Sequence, residues 1–274
     1  MAPFEETVGV AHARTGLLGN PSDQYEGKVI AVSVANFHAE VRMVPSEQLE
    51  FHPHALHDTN CYCSMSEMVE AVQSKGYYGG VRLLKAICKR FYEYCRDHDI
   101  QLKEVNFRMS YSTNVPRQLG LAGSSAIVSA ALSCLLSFYG IEDMMPLRDR
   151  PGLILSAEGE LGITAGLMDR VVQVYGGCVF MDFNGDYVKQ HGRGRYKSLP
   201  VDKLPRLWLV LSRTPSESGK VHSGAKQRWL DGDQEIRRVM AEAAGTAEMG
   251  RNALLDGDHK ALGVAMNRNF DLRR

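Results

Sequence analysis

The sequence has no apolar run long enough for a membrane. Its longest, from Ala126 to Ile141, is shorter than the roughly 20 residues that a bilayer-spanning helix needs. Ser129, Ser133 and Ser137 break it at every fourth position, drawing a polar stripe down one face of what reads as a buried or half-buried helix. Cysteine is sparse too. Cys61, Cys63, Cys88, Cys95, Cys134 and Cys178 form no pair of C-x-x-C knuckles, so neither a disulfide scaffold nor a structural zinc site is indicated, and they read as reduced thiols. Net charge is missing as well, because 32 basic side chains balance 32 acidic ones. That balance leaves no global field to gather nucleic acid or an anionic membrane, so neither is an expected partner. Met1 to Glu6 is short, polar and acidic, with no basic stretch leading into an apolar one, so the cytosol is the expected location.

What is there suits an ordinary globular protein: 274 residues, 44% hydrophobic and 23% charged, enough for one large domain or two modest ones. Val8 to Ala13, Lys28 to Val34 and Phe37 to Val44 are β-branched or alternating runs that predict strands. The turn formers Gly16, Gly19, Asn20, Pro21, Ser22, Asp23 and Gly27 predict an ordered loop between the first two. Val81 to Arg96 has helical spacing with a basic outer face, and Lys103 to Tyr111 alternates as a strand. His52, His54 and His57 fall in a stretch with no pattern and read as loop. Helices are expected over Pro151 to Glu160 and Leu167 to Tyr175, strands over Cys178 to Phe183 and Leu207 to Leu211, and two helices within Gln234 to Asp271, broken near Asp256 and Gly257. A second unit of strand plus helices thus opens near Pro205.

Three segments offer chemistry. P-R-Q-L-G-L-A-G-S-S-A, from Pro116 to Ala126, combines glycines and hydroxyls with the start of an apolar helix. Glycines let backbone N–H groups approach a ligand, and a helix N-terminus attracts an anion such as a triphosphate without any lysine. A plain capping loop fits the same residues, because serine before a helix is common, and local chemistry does not choose between the two. Neither the Walker pattern nor the dinucleotide fingerprint fits. The second segment places Glu158 at a helix end and Asp169 after a glycine-rich turn, so both carboxylates can return to one point. One could hold magnesium together with substrate phosphates and the other could orient or deprotonate a hydroxyl, although helix-end carboxylates alone are usually solvated. Third, Arg14 ends a strand and could clamp a phosphate. As a lone residue an arginine there is more often a surface charge.

In this order the three segments resemble the GHMP small-molecule kinases, the galactokinase, homoserine kinase, mevalonate kinase and phosphomevalonate kinase family. A-H-A-R-T-G-L-L-G-N-P is similar to the family's A-P-G-R-x-x-L-x-G-E-H, with His12 and Ala13 in place of proline and glycine. Pro116 to Ala126 is similar to P-x-x-x-G-L-G-S-S-A, with Ala122 where glycine is usual, and Glu158 and Asp169 match the family's carboxylates in type and spacing. Met266-Asn267-Arg268-Asn269-Phe270 is similar to its M-N-x-N segment. G-L-L-G-N-P-S-D-x-Y-x-G-K, S-G-K-V-H-S and Q-R-W-L-D-G-D most resemble the plant-type glucuronokinase branch.

The resemblance implies an α/β (α+β) fold, with a ribosomal protein S5 domain 2-like N-terminal domain over residues 1–204 and a C-terminal domain over 205–274. That second domain is expected to be incomplete, since the family's glycine-rich third motif does not occur before Arg274. By the same resemblance, ATP and Mg2+ are the expected cofactors, and the expected reaction is phosphorylation of glucuronate at C1. A galactokinase-like hexose kinase, or a silent nucleotide- or sugar-binding protein, is the alternative. Asp169 and Arg14 are the implied catalytic residues. Pro116, Gly120, Leu121, Ala122, Gly123, Ser124, Ser125 and Ala126 are the implied ATP loop, and Ser125 and Glu158 the magnesium ligands. Asn20, Ser22, Asp23, Tyr25 and Lys220 are the implied sugar site, with Arg228 as a second candidate for a carboxylate.

Overall fold

The structure is a computed structural model that describes residues 5–58, 62–75, 79–163, 165–211 and 225–273. Among the described residues the principal strands and helices follow one another. They are β1 (Thr7–Leu18), β2 (Lys28–Pro45), β3 (Glu50–Phe51), α1 (Met65–Lys75), α2 (Gly80–Asp97), β4 (Phe107–Thr113), α3 (Gly123–Tyr139), α4 (Arg150–Glu160), α5 (Met168–Tyr175), β5 (Cys178–Asp182), α6 (Gly185–His191), β6 (Arg195–Leu199), α7 (Gln234–Asp256) and α8 (His259–Asp271). All six strands join one sheet in the order β3-β4-β2-β5-β6, with β1 also on β2, and only the β3–β4 pairing is parallel. β2 organises it: β1 runs along one edge, while β5 takes Lys28 to Val32 and β4 takes Ala39 to Pro45 on the other.

The sequence of β2 explains why its two halves are covered differently. Val29 to Val32 is continuously apolar and buried on both faces, the pattern of a strand sandwiched between layers. Val29 and Ala31 pack with Met168, Val171 and Val172 of α5, while Ile30 and Val32 pack with Ala247, Leu254, Leu262 and Ala265 of α7 and α8. Beyond the midpoint, buried Ala39, Val41 and Met43 alternate with the outward Glu40 and Arg42, and only one face is covered, by α2, α3 and α4. β1 crosses α3 so closely that a Cβ on Gly9 would lie 2.1 Å from the Ala130 carbonyl oxygen. Glycine there is a packing requirement.

Four expectations change. β1 does not end at Ala13; it runs through Gly16 to Leu18, because Thr15 to Leu18 pair with β2 and Leu17 and Leu18 are buried beneath α7 and α8. The two runs at Lys28 to Val34 and Phe37 to Val44 are one strand. β4 starts at Phe107 rather than Lys103. Leu207 to Leu211 forms no strand: Trp208 and Val210 are 80% and 90% exposed, and no ladder partner faces them among the described residues. The expected breaks in the last two helices, at Asp256 and Gly257, hold, with Gly257 in the left-handed conformation that ends α7.

Candidate active site

The end of β1, the glycine loop ahead of α3, the end of α4 and the start of α5 converge. Arg14 donates from Nε to Asp169 Oδ1 at 2.6 Å and from Nη1 to the Gly120 carbonyl at 2.8 Å. One guanidinium therefore ties the α5 carboxylate to the glycine loop. Burial works to raise the Asp169 carboxyl, but the charge and hydrogen bond of Arg14, helped by Arg170, hold it below the usual carboxylate range.

The glycine loop reaches α3 through Ala122, which sits at φ 56° and makes no side-chain cap for the helix. The first N–H groups of α3 are thus left for another acceptor. Gln173 of α5 steadies the turn by donating to the Ala122 carbonyl at 3.0 Å. Leu121 and Ala126 point into the core, so they serve the loop through backbone alone, while Pro116, Gly120, Gly123 and Ser124 remain at least partly accessible.

Glu158 is fully buried at the end of α4. Ser124 Oγ donates to its Oε1 at 3.0 Å, and Ser125 Oγ lies 3.0 and 3.1 Å from Oε1 and Oε2. A carboxylate oxygen and a serine hydroxyl side by side at an uncapped helix start are a donor set that suits magnesium beside a polyphosphate. The sequence reading had no place for Arg170, whose Nε donates to Glu158 Oε2 at 2.7 Å and whose side chain is 1% exposed. The available signal was a charge placed directly before the core pair Val171 and Val172, where an unpartnered cation would not be tolerated.

Asp23 lies across the α5 N-terminus from Asp169. Burial pushes its carboxyl up to about 7, the Asp169 charge adds to the rise, and a hydrogen bond from the Met168 N–H, the Arg14 charge and its own backbone N–H oppose it. A Cβ on Gly166 would stand 2.1 Å from Asp23 Oδ2, so glycine is what lets this loop close on the turn before α5.

The family decides how this convergence is read. Residues 82–177 match the GHMP kinases N terminal domain. Glucuronokinase 1 of Arabidopsis thaliana is 52% identical over 273 residues, covering 98% of this chain and 75% of the relative. This chain belongs to the GHMP kinase family. Probable glucuronokinase 2 of the same plant is 53% identical, covering 96% of this chain and 72% of the relative. Among solved structures, Lactococcus lactis galactokinase complexed with galactose shares the fold at a TM-score of 0.69 and 13% identity, over 97% of this GHMP kinase and 74% of that chain.

The expected sugar residues of this GHMP kinase do not all face one way. Ser22 is fully buried and its hydroxyl donates to the Lys28 carbonyl at 2.9 Å, closing its own turn, so it offers nothing to a ligand. Tyr25 is buried edge-on against Trp229, and its hydroxyl has no hydrogen-bond partner among the described residues. A cavity of about 430 Å3 borders it, lined by Lys28, Asp182, Trp229, Met240 and Glu248 among others, and takes in neither Asp169 nor Glu158. Arg228 pairs with Asp233 at 2.7 Å and Glu235 at 3.0 Å at the start of α7. Lys220 lies outside the described residues. Among the described residues, Lys226 is a cation beside the loop after β1: it donates to the Gln24 carbonyl at 2.9 Å and stands 5.4 Å from the Tyr25 ring centroid. Asn269, in the M-N-x-N segment, accepts from the Gly19 N–H at 2.9 Å and so anchors the start of that loop from α8.

Proposed function

We propose that this GHMP kinase transfers the γ-phosphoryl group of ATP to the C1 hydroxyl of glucuronate. The observation that carries the reading is the Arg14 bridge, which holds the Asp169 carboxylate against the loop expected to cradle phosphate. The similarity to the two plant glucuronokinases supports the choice of sugar.

Asp169 Oδ1 is occupied by Arg14, which leaves Oδ2 to receive the hydrogen of the sugar hydroxyl. A carboxylate held below its usual range is a weak base, so Asp169 mainly orients the hydroxyl and takes the proton as the new P–O bond forms. The bond to the β-phosphate oxygen breaks, and ADP leaves with the electron pair. Arg14, next to both carboxylate and loop, is placed to face the negative charge of the moving phosphoryl group. The N–H groups at the start of α3, which no side chain of the N-cap residue Ala122 caps, complement the remaining phosphates. Ser125 and Glu158 would hold magnesium, which neutralises phosphate charge when bound. On the sugar side, Asn20 and Asp23 are partly accessible and provide donors and acceptors, and Lys226 is the cation for the glucuronate carboxylate.

The test is ADP release measured with glucuronate, with galactose and with no sugar, the product being identified by 31P NMR as an anomeric phosphate. Glucuronate-dependent release with an anomeric product is expected. Release on galactose alone would replace glucuronate with a hexose, and release indifferent to sugar would sink the kinase reading.

A further inference from the structure

We propose that Arg170 is a positioning residue for phosphoryl transfer, fixing Glu158 and the turn before Asp169 through one buried guanidinium. The inference rests on the kinase reading above and adds to it a group that touches neither sugar nor nucleotide.

Glu158 is fully buried, and the two serines give it only neutral donors. A carboxylate in that setting without a cation is strongly unfavourable. Arg170 supplies the cation from α5: Nε donates to Glu158 Oε2 at 2.7 Å, and a terminal nitrogen pairs with the same oxygen. Its Nη1 donates to the Gly166 carbonyl at 2.8 Å and lies 3.6 Å from Asp169 Oδ2. The guanidinium is planar with donors in set directions, so these contacts fix three groups relative to one another.

Two consequences follow from the geometry. With Arg170 holding Oε2, the Glu158 carboxylate is presented to the start of α3, where Ser124 reaches Oε1 and Ser125 reaches both oxygens. The carbonyl gripped by Nη1 belongs to Gly166, the residue against which Asp23 Oδ2 closes. Arg170 therefore links the phosphate side of the site to the sugar side. A lysine keeps the charge but has one compact ammonium, which cannot serve Glu158, Gly166 and Asp169 together.

The test compares R170K and R170Q with the unmodified chain. In R170K, kcat per folded molecule should fall about 10- to 100-fold while the sugar KM stays within about twofold, the split expected when alignment rather than binding is lost. In R170Q the acid limb of the kcat profile should move to higher pH, because Asp169 loses one of the two cations that hold it low. Among the described residues, the charged groups facing Asp169 are Arg14 from β1, Asp23 from the loop after β1 and Arg170 itself, so the variants leave the first two in place. R170K retains charge and bulk and carries the test if R170Q does not fold. An unchanged kcat in R170K, or an unmoved acid limb in folded R170Q, would overturn the positioning role while leaving the kinase reading intact. An unmodified chain that phosphorylates no sugar would instead overturn the kinase reading and the role in transfer with it.

Discussion

Asp169 and Asp23 share the mouth of α5 yet titrate in opposite directions, and the cause is the position of Arg14. Its guanidinium is hydrogen-bonded to Asp169, whereas Asp23 meets burial and a neighbouring negative charge. If Asp169 orients the sugar hydroxyl, Asp169→Asn should lower kcat by about 100-fold or more. Calorimetric ATP affinity should stay within about threefold, since the glycine loop is untouched. Asp23 has a stability consequence whose sign is fixed. Its folded-state pKa, about 7, exceeds the ordinary 3.8, so between those values the folded chain holds a proton that the unfolded chain has released. Stability from this group therefore falls as pH rises through that window. Asp23→Asn carries no such penalty, so its Tm advantage over the unmodified chain should be larger at about pH 8 than at about pH 5. A constant difference across that range would show that the shift is not there. Ala122 gives a third prediction at this scale. Its φ of 56° suits glycine, so Ala122→Gly should raise stability in urea unfolding by about 1 kcal/mol.

Among the elements, the contact between α8 and the end of β1 joins residues 250 positions apart, through Asn269 Oδ1 and the Gly19 N–H. Thr246 Oγ1 of α7, which donates to the Ala243 carbonyl at 2.6 Å, lies 3.2 Å from that oxygen, so one buried amide sits between two helices and the loop after β1. Removing it in Asn269→Ala costs a buried hydrogen bond of about 1–3 kcal/mol, which predicts a sugar KM raised about tenfold with ATP KM little changed. Equal rises in both constants would mean that the amide supports the fold generally. The same contact shows what could be read in advance. The M-N-x-N pattern marked Asn269 but not its partner, because nothing local specifies a bond across the whole chain. By contrast, the separation of Glu158 and Asp169 was readable because one helix end, one turn and one helix start connect them. The limits of α2, α4 and α5 followed from local apolar spacing and stop signals. β1 ran past its expected end because sheet pairing and helix cover overrode the turn preference of Gly16. Leu207 to Leu211 has the composition of a strand, but composition supplies no ladder partner.

On the scale of the whole molecule, the boundary expected near Pro205 separates segments that share a core. Leu17, Leu18, Ile30 and Phe180 lie on one side of it in sequence and Ala247, Leu254, Leu262 and Ala265 on the other, yet they form one buried cluster. Two segments that bury each other's apolar surface lose that burial together, so the sheet and α7–α8 should unfold as one cooperative unit. Trp229 offers a local probe, since it packs edge-on against Tyr25 of the loop after β1 with ring centroids 5.4 Å apart. Its fluorescence and the far-ultraviolet circular dichroism should give coincident urea transitions. Leu254→Ala, which removes a fully buried side chain from the shared cluster, should lower the midpoint of both together by an amount equivalent to about 2–5 kcal/mol. If the variant instead split the curves, with helical signal lost before Trp229 responds, α7 and α8 would be a separate unit. The Asn269 bond to Gly19 would then be a docking contact between independently folding parts, and sugar affinity should fall with urea before the core of the sheet melts.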